Sequence, residues 1–135
     1  MNKPDSALQA YENTIALDSS FSDSHLNAGE ILFSFKRYEE AVPYFAYVIK
    51  DRPNEYLGYD KLSYLYFSMK EYQKSVLVNK AAIQKLPNLI DPYINIGRTF
   101  IAAGQNDSAL YYLQIARNMD PANQLIIDLQ ASVGK

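Results

Sequence analysis

The chain lacks cysteine and tryptophan and has a single histidine. Without cysteine there is no disulfide framework and no thiolate metal site. With His25 alone, the usual zinc ligand sets cannot be assembled, and His25 is expected to be a structural residue. The five glycines are isolated from one another, so no Gly-rich phosphate loop is present. No apolar run approaches the roughly 20 residues that span a bilayer, which argues against membrane insertion. The start, "MNKPDSALQA", has no apolar signal-peptide core. Neither sign of charge dominates: 13 basic against 15 acidic residues leave a net −2, and the Lys and Arg residues are scattered. A nucleic-acid partner is therefore not expected.

What is present is an ordinary soluble composition, 48% apolar, in a chain long enough to bury a core as a single domain. Its pattern is a repeat. Pro53, Pro87 and Pro121 follow one another at intervals of 34 residues. The same shift aligns Ala41 with Ser75 and Ala109, and Gly29 with Ser63 and Gly97. It also aligns Ala28 with Leu62 and Ile96, Leu32 with Tyr66 and Phe100, and Val48 with Ala82 and Ala116. Each unit reads as two helices. Tyr59, Leu62, Leu65 and Tyr66 mark the apolar face of a first helix, and Leu110, Leu113 and Ala116 that of a second. Short turns, "SFKRYE", "SMKEYQ" and "AAGQND", join them, and the recurring proline ends the second helix. Pro43 falls early in its helix, where it removes only a first-turn bond. Asp91 is a good N-cap, with Pro92 at the first helical position. The paired small residues Gly29 with Ala41, and Gly97 with Ala109, would let the helices of a unit approach closely.

These positions resemble the tetratricopeptide repeat family over nearly the whole chain. His25, Tyr59 and Tyr93 stand at its early aromatic position, and the three prolines at its closing one. Full units run 22–55, 56–89 and 90–123. Residues 1–21 fit the second half of a unit, and 124–135 begin another first helix. The implied fold is all-α, a right-handed superhelical solenoid of antiparallel helix pairs. Asn79 departs from the pattern, replacing a large apolar residue in the second helix. A buried amide there needs a hydrogen bond or partial exposure.

The resemblance implies a concave groove lined by first helices. Its candidate peptide-binding residues are Leu26, Asn27, Glu30 and Phe33, then Leu57, Asp60, Lys61, Tyr64 and Phe67, then Ile94, Asn95, Arg98 and Ile101. Lys61 and Arg98 are the only basic groups in the groove, set among Asp23, Glu30, Asp60 and Asp91, so a carboxylate clamp is not expected. The groove suits a protein or peptide segment with apolar side chains and a Lys or Arg. Asn27 and Asn95 share one repeat position and resemble an asparagine ladder to a peptide backbone, although solvated polar positions would look the same. Tyr64 and Phe67 are the aromatics without a packing role in the family.

The expected function is a non-catalytic protein-binding scaffold or adaptor, without cofactor or metal, because nothing places two acid–base groups in a shared pocket. Two other readings remain open. The chain, starting in mid-repeat, could be a regulatory or substrate-docking segment cut from a larger enzyme. It could also self-associate weakly through an N-terminal helix exposing Leu8, Tyr11 and Ile15. The compartment is unknown, with a soluble intracellular setting favoured.

Overall fold

The computed structural model describes residues 22–133. The half unit expected over residues 1–21, with its apolar stripe at Leu8, Tyr11 and Ile15, lies outside the described residues. Within them the structure is helical, with seven helices and no strand. First and second helices alternate: α1 (Ser22–Ser34), α2 (Tyr38–Asp51), α3 (Tyr56–Ser68), α4 (Tyr72–Lys85), α5 (Asp91–Ala102), α6 (Asn106–Met119) and α7 (Gln124–Ser132). The second helices α2, α4 and α6 are each 14 residues long and begin 34 residues apart.

The repeated prolines sit two residues beyond the ends of α2, α4 and α6. The residue before each proline, Arg52, Leu86 or Asp120, has left helical geometry, with φ of −130°, −131° and −146°. That is the steric effect of a proline ring on its predecessor. Pro43 is accommodated: α2 passes through it and runs on to Asp51. The turn between the helices of a unit is also shared. Lys36, Lys70 and Gly104 occupy one repeat position and take φ of 60°, 61° and 75°. Their N–H groups donate to Phe33, Phe67 and Ile101 carbonyls at 2.9, 2.9 and 3.0 Å. The next N–H groups, of Arg37, Glu71 and Gln105, reach Leu32, Tyr66 and Phe100 at 2.8, 2.9 and 2.8 Å. This pair of bonds is the Schellman motif, which satisfies carbonyls at a helix end and requires a left-handed residue.

One cap differs from its sequence reading. Asp91 lies inside α5, and Ile90 flanks the helix with φ −76° and ψ −29°, making no side-chain cap bond. The helical backbone of Ile90 allows its carbonyl to accept from both Tyr93 and Ile94, at 3.0 and 3.3 Å. Asp91 then acts as an acidic first-turn charge, and Pro92 still falls where no N–H is needed. Asp23 likewise lies in the first turn of α1, and its carboxylate meets Arg52 at 3.5 Å.

The chain divides between Leu65 and Tyr66 into two compact units. In the first, α1 packs on α2, burying Ala28, Leu32, Ala41, Phe45 and Val48. Gly29 faces Phe45, where a Cβ would come within 2.6 Å of the ring, so the partner of this glycine is the phenyl ring. His25 is buried and stacks on Tyr47 with centroids 3.6 Å apart. Tyr59 donates its hydroxyl to the Pro53 carbonyl at 2.8 Å, and burial pushes its phenol pKa up.

In the second unit α5 packs on α4 and α6, and α6 on α7. The buried residues include Val76, Ala82, Ile96, Ala109 and Leu113. Gly97 faces Leu113 as Gly29 faces Phe45, with a Cβ-to-Cδ2 approach of 2.5 Å. Asn79 is fully buried and donates its amide to the Ser75 carbonyl at 3.4 Å, the hydrogen bond that its burial demands. Tyr66, Tyr93 and Phe100 are half-buried. α7 begins with the Asn123 side chain accepting from the Ile126 N–H at 3.3 Å, and sets Ile126 against Ile94 and Ala116.

Candidate functional site

Glu30 and Phe33 are three residues apart on α1, and Lys61 and Tyr64 three apart on α3, so each pair shares a helix face. The first unit brings both pairs together around a cavity of about 260 Å³, with Phe45 as the fifth lining residue. Phe45 is 1% exposed and reaches this position because Gly29 presents no side chain to block it. Phe33 stacks on Tyr64 with centroids 5.6 Å apart and planes at 28°, and tilts against Tyr38 at 5.3 Å. Tyr64 remains 59% exposed. Across the rim the Lys61 ammonium donates to Glu30 Oε1 at 2.8 Å. Both groups are more than a third exposed. A pair in that setting contributes about 0.2–1 kcal/mol, so it can be exchanged for another partner at small cost.

The remaining candidates are placed differently. In the first unit Leu26 is half-buried, while Asn27, Leu57 and Asp60 are exposed; none of the four lines the cavity. In the second, Phe67 is half-buried and meets Tyr72 edge-on at 5.6 Å. Asn95 and Ile101 are half-buried and Arg98 is exposed, and the Asn95 carbonyl accepts from Thr99 Oγ1 at 2.7 Å. Ile94 requires a correction. At 7% exposure it belongs to the core with Ala116 and Ile126, because α7 covers the face that the repeat pattern assigns to a groove.

Phe45 is the lining residue outside the set of candidates read from the sequence. The signal was available in the glycine sixteen residues before it, which leaves the ring open to the first-helix side. A more open depression of about 410 Å³ lies at Gly104–Ser108, and no sequence-predicted site residue lines it. Among the described residues no group of His, Asp or Glu is arranged to hold a metal ion, and no helix is long and apolar enough to cross a membrane.

Comparison with known proteins agrees with this architecture. A tetratricopeptide repeat family model matches residues 1–56. No curated protein matches the chain. Among solved structures, a MamA protein shares 23% identity with a TM-score of 0.74, over 87% of this chain and 64% of that one. The chain thus spans slightly less than two thirds of that structure. MamA from Desulfovibrio magneticus RS-1 gives 20% identity and a TM-score of 0.73, over 94% and 72% of the two chains. The TPR2B domain of yeast Sti1, solved in a complex with pHsp70, gives 24% and 0.68, over 82% and 93%. At these identities the likeness is one of fold. Residues 1–56 thus resemble the tetratricopeptide repeat family, and the described helices share the fold of these solved structures.

Proposed function

We propose that the chain is a non-catalytic protein-binding module that docks a peptide segment on its first-helix faces. The observation that carries this reading is the aromatic-walled cavity between α1 and α3, lined by Glu30, Phe33, Lys61 and Tyr64 over Phe45. An aromatic pair, Tyr64 exposed and Phe33 half-buried, beside a weakly held ion pair offers apolar area together with one donor and one acceptor. Those are the elements that hold a peptide side chain and its backbone. Leu26, Asn27, Leu57 and Asp60 are proposed to extend this surface in the first unit. Phe67, Asn95, Arg98 and Ile101 are proposed contacts of the second. The Sti1 domain, solved with pHsp70, supports the assignment by fold.

The test compares the wild-type chain with Asn27→Ala/Tyr64→Glu/Asn95→Ala in a pull-down from source-cell lysate, after circular dichroism shows equal folding. The captured protein is then purified and titrated against both by calorimetry. Binding weakened at least about tenfold in the variant, about 1.4 kcal/mol, is the expected outcome. Equal affinity for both would remove the first-helix faces as the working surface.

A further inference from the structure

We infer that the Glu30–Phe33–Lys61–Tyr64 cavity takes an arginine side chain of the docked segment. This rests on the peptide-binding reading above and gives it a chemical specificity. The Tyr64 ring, 59% exposed and stacked on Phe33 with planes at 28°, offers an aromatic surface at the cavity. A guanidinium is planar and weakly hydrated, and it lies over such faces readily. Beside that face stands the Glu30 carboxylate. Lys61 engages one of its oxygens, Oε1. A carboxylate has acceptor capacity for a further donor and matches the guanidinium fork in two parallel hydrogen bonds.

Charge selects among the alternatives. The groove-facing charges predicted for the first unit are Asp23, Glu30 and Asp60 against Lys61, and Asp23 already meets Arg52 at 3.5 Å. A ligand carboxylate would have to take Lys61 from Glu30 and then sit beside the Glu30 carboxylate. A ligand lysine is a compact, strongly hydrated charge that gains little from aromatic walls. An apolar side chain would fill the space yet use neither rim group. The arginine uses both the wall and the rim, and Lys61 is the resident cation with which it competes for Glu30.

That competition gives the proposal a sign. Uniformly 15N-labelled whole chain is titrated with N-acetyl-arginine methylamide, and in parallel with N-acetyl-norleucine methylamide, following the backbone amides by NMR. The arginine probe is expected to shift the amides of Glu30, Phe33, Lys61 and Tyr64 in a saturable way, with the norleucine probe binding more weakly. Glu30→Gln should weaken the arginine probe about tenfold, the loss of a charge-assisted bond. Lys61→Met should tighten it several-fold, because Glu30 is released. Both side chains are partly exposed, so neither change should disturb the fold, and the spectra check this directly. Weaker arginine binding in Lys61→Met, equal binding of norleucine, or no saturable shift at these four residues would each overturn the assignment. Should the arginine probe fail while Asn27→Ala/Tyr64→Glu/Asn95→Ala still loses its captured partner, the arginine assignment falls and the peptide-docking reading stands. Failure of the probe together with full retention of the partner by that variant would remove both.

Discussion

At the scale of single residues, close packing decides the sign of changes that propensity alone would misjudge. Gly58 lies in the first turn of α3, and a Cβ there would sit 2.8 Å from the backbone nitrogen of Ile49 and 2.9 Å from its Cγ1. Helix propensity by itself favours alanine over glycine by about 1 kcal/mol. Backbone cannot turn aside as a side chain can, so Gly58→Ala is expected to destabilise by roughly 1–3 kcal/mol, read from urea unfolding. Stability raised by this change would mean that α2 and α3 are not so close. The obstacles at Gly29 and Gly97 are the buried side chains of Phe45 and Leu113, at 2.6 and 2.5 Å. Asn79 shows the converse case, a polar group tolerated in the core because its own helix supplies an acceptor, the Ser75 carbonyl.

At the scale of elements, one turn geometry recurs three times with different side chains in it. Lys36, Lys70 and Gly104 hold the left-handed position of equivalent Schellman motifs. Each lysine carries the Cβ strain of that conformation, about 1–2 kcal/mol, partly offset by the greater freedom that glycine has in the unfolded chain. Lys70→Gly is therefore expected to raise stability by roughly 1 kcal/mol, and Gly104→Ala to lower it by about the same amount. Thermal melts of the two variants should move in opposite directions. Shifts of the same sign would contradict a shared turn. The spacing of the turns was legible in the sequence. The positive φ at two lysines was not, since nothing in a lysine announces it and the two hydrogen bonds of the closing turn impose it.

At the scale of the whole molecule, contacts are local, as in repeat proteins generally. In the second unit the last described helix is part of the core: Ile126 is fully buried with Ile94 and Ala116. Ile126→Ala should cost about 2–5 kcal/mol to the structure it supports. Hydrogen exchange is the informative readout. Protection should fall in α5, α6 and α7 while the amides of α1 and α2 keep theirs, because local contacts allow local opening. Uniform loss across all helices would show instead that the chain unfolds as one block.

The sequence by itself determined the period, the two-helix unit, the prolines that close it and most of the buried positions. Val48, Ala82 and Ala116, or Ala28, Leu62 and Ile96, are buried in step with the repeat. These features follow from neighbours within a few turns of chain, where helical spacing and backbone sterics are enough. Four of the candidate site residues, Glu30, Phe33, Lys61 and Tyr64, also stand at repeat positions legible in the sequence. Tertiary structure alone decided that these four share a cavity, that Phe45 forms its floor, that Glu30 holds Lys61, and that α7 takes Ile94 into the core. Each of those depends on which helix lies against which face, a contact between residues far apart in sequence. The repeat pattern states that a face exists; only packing determines what covers it.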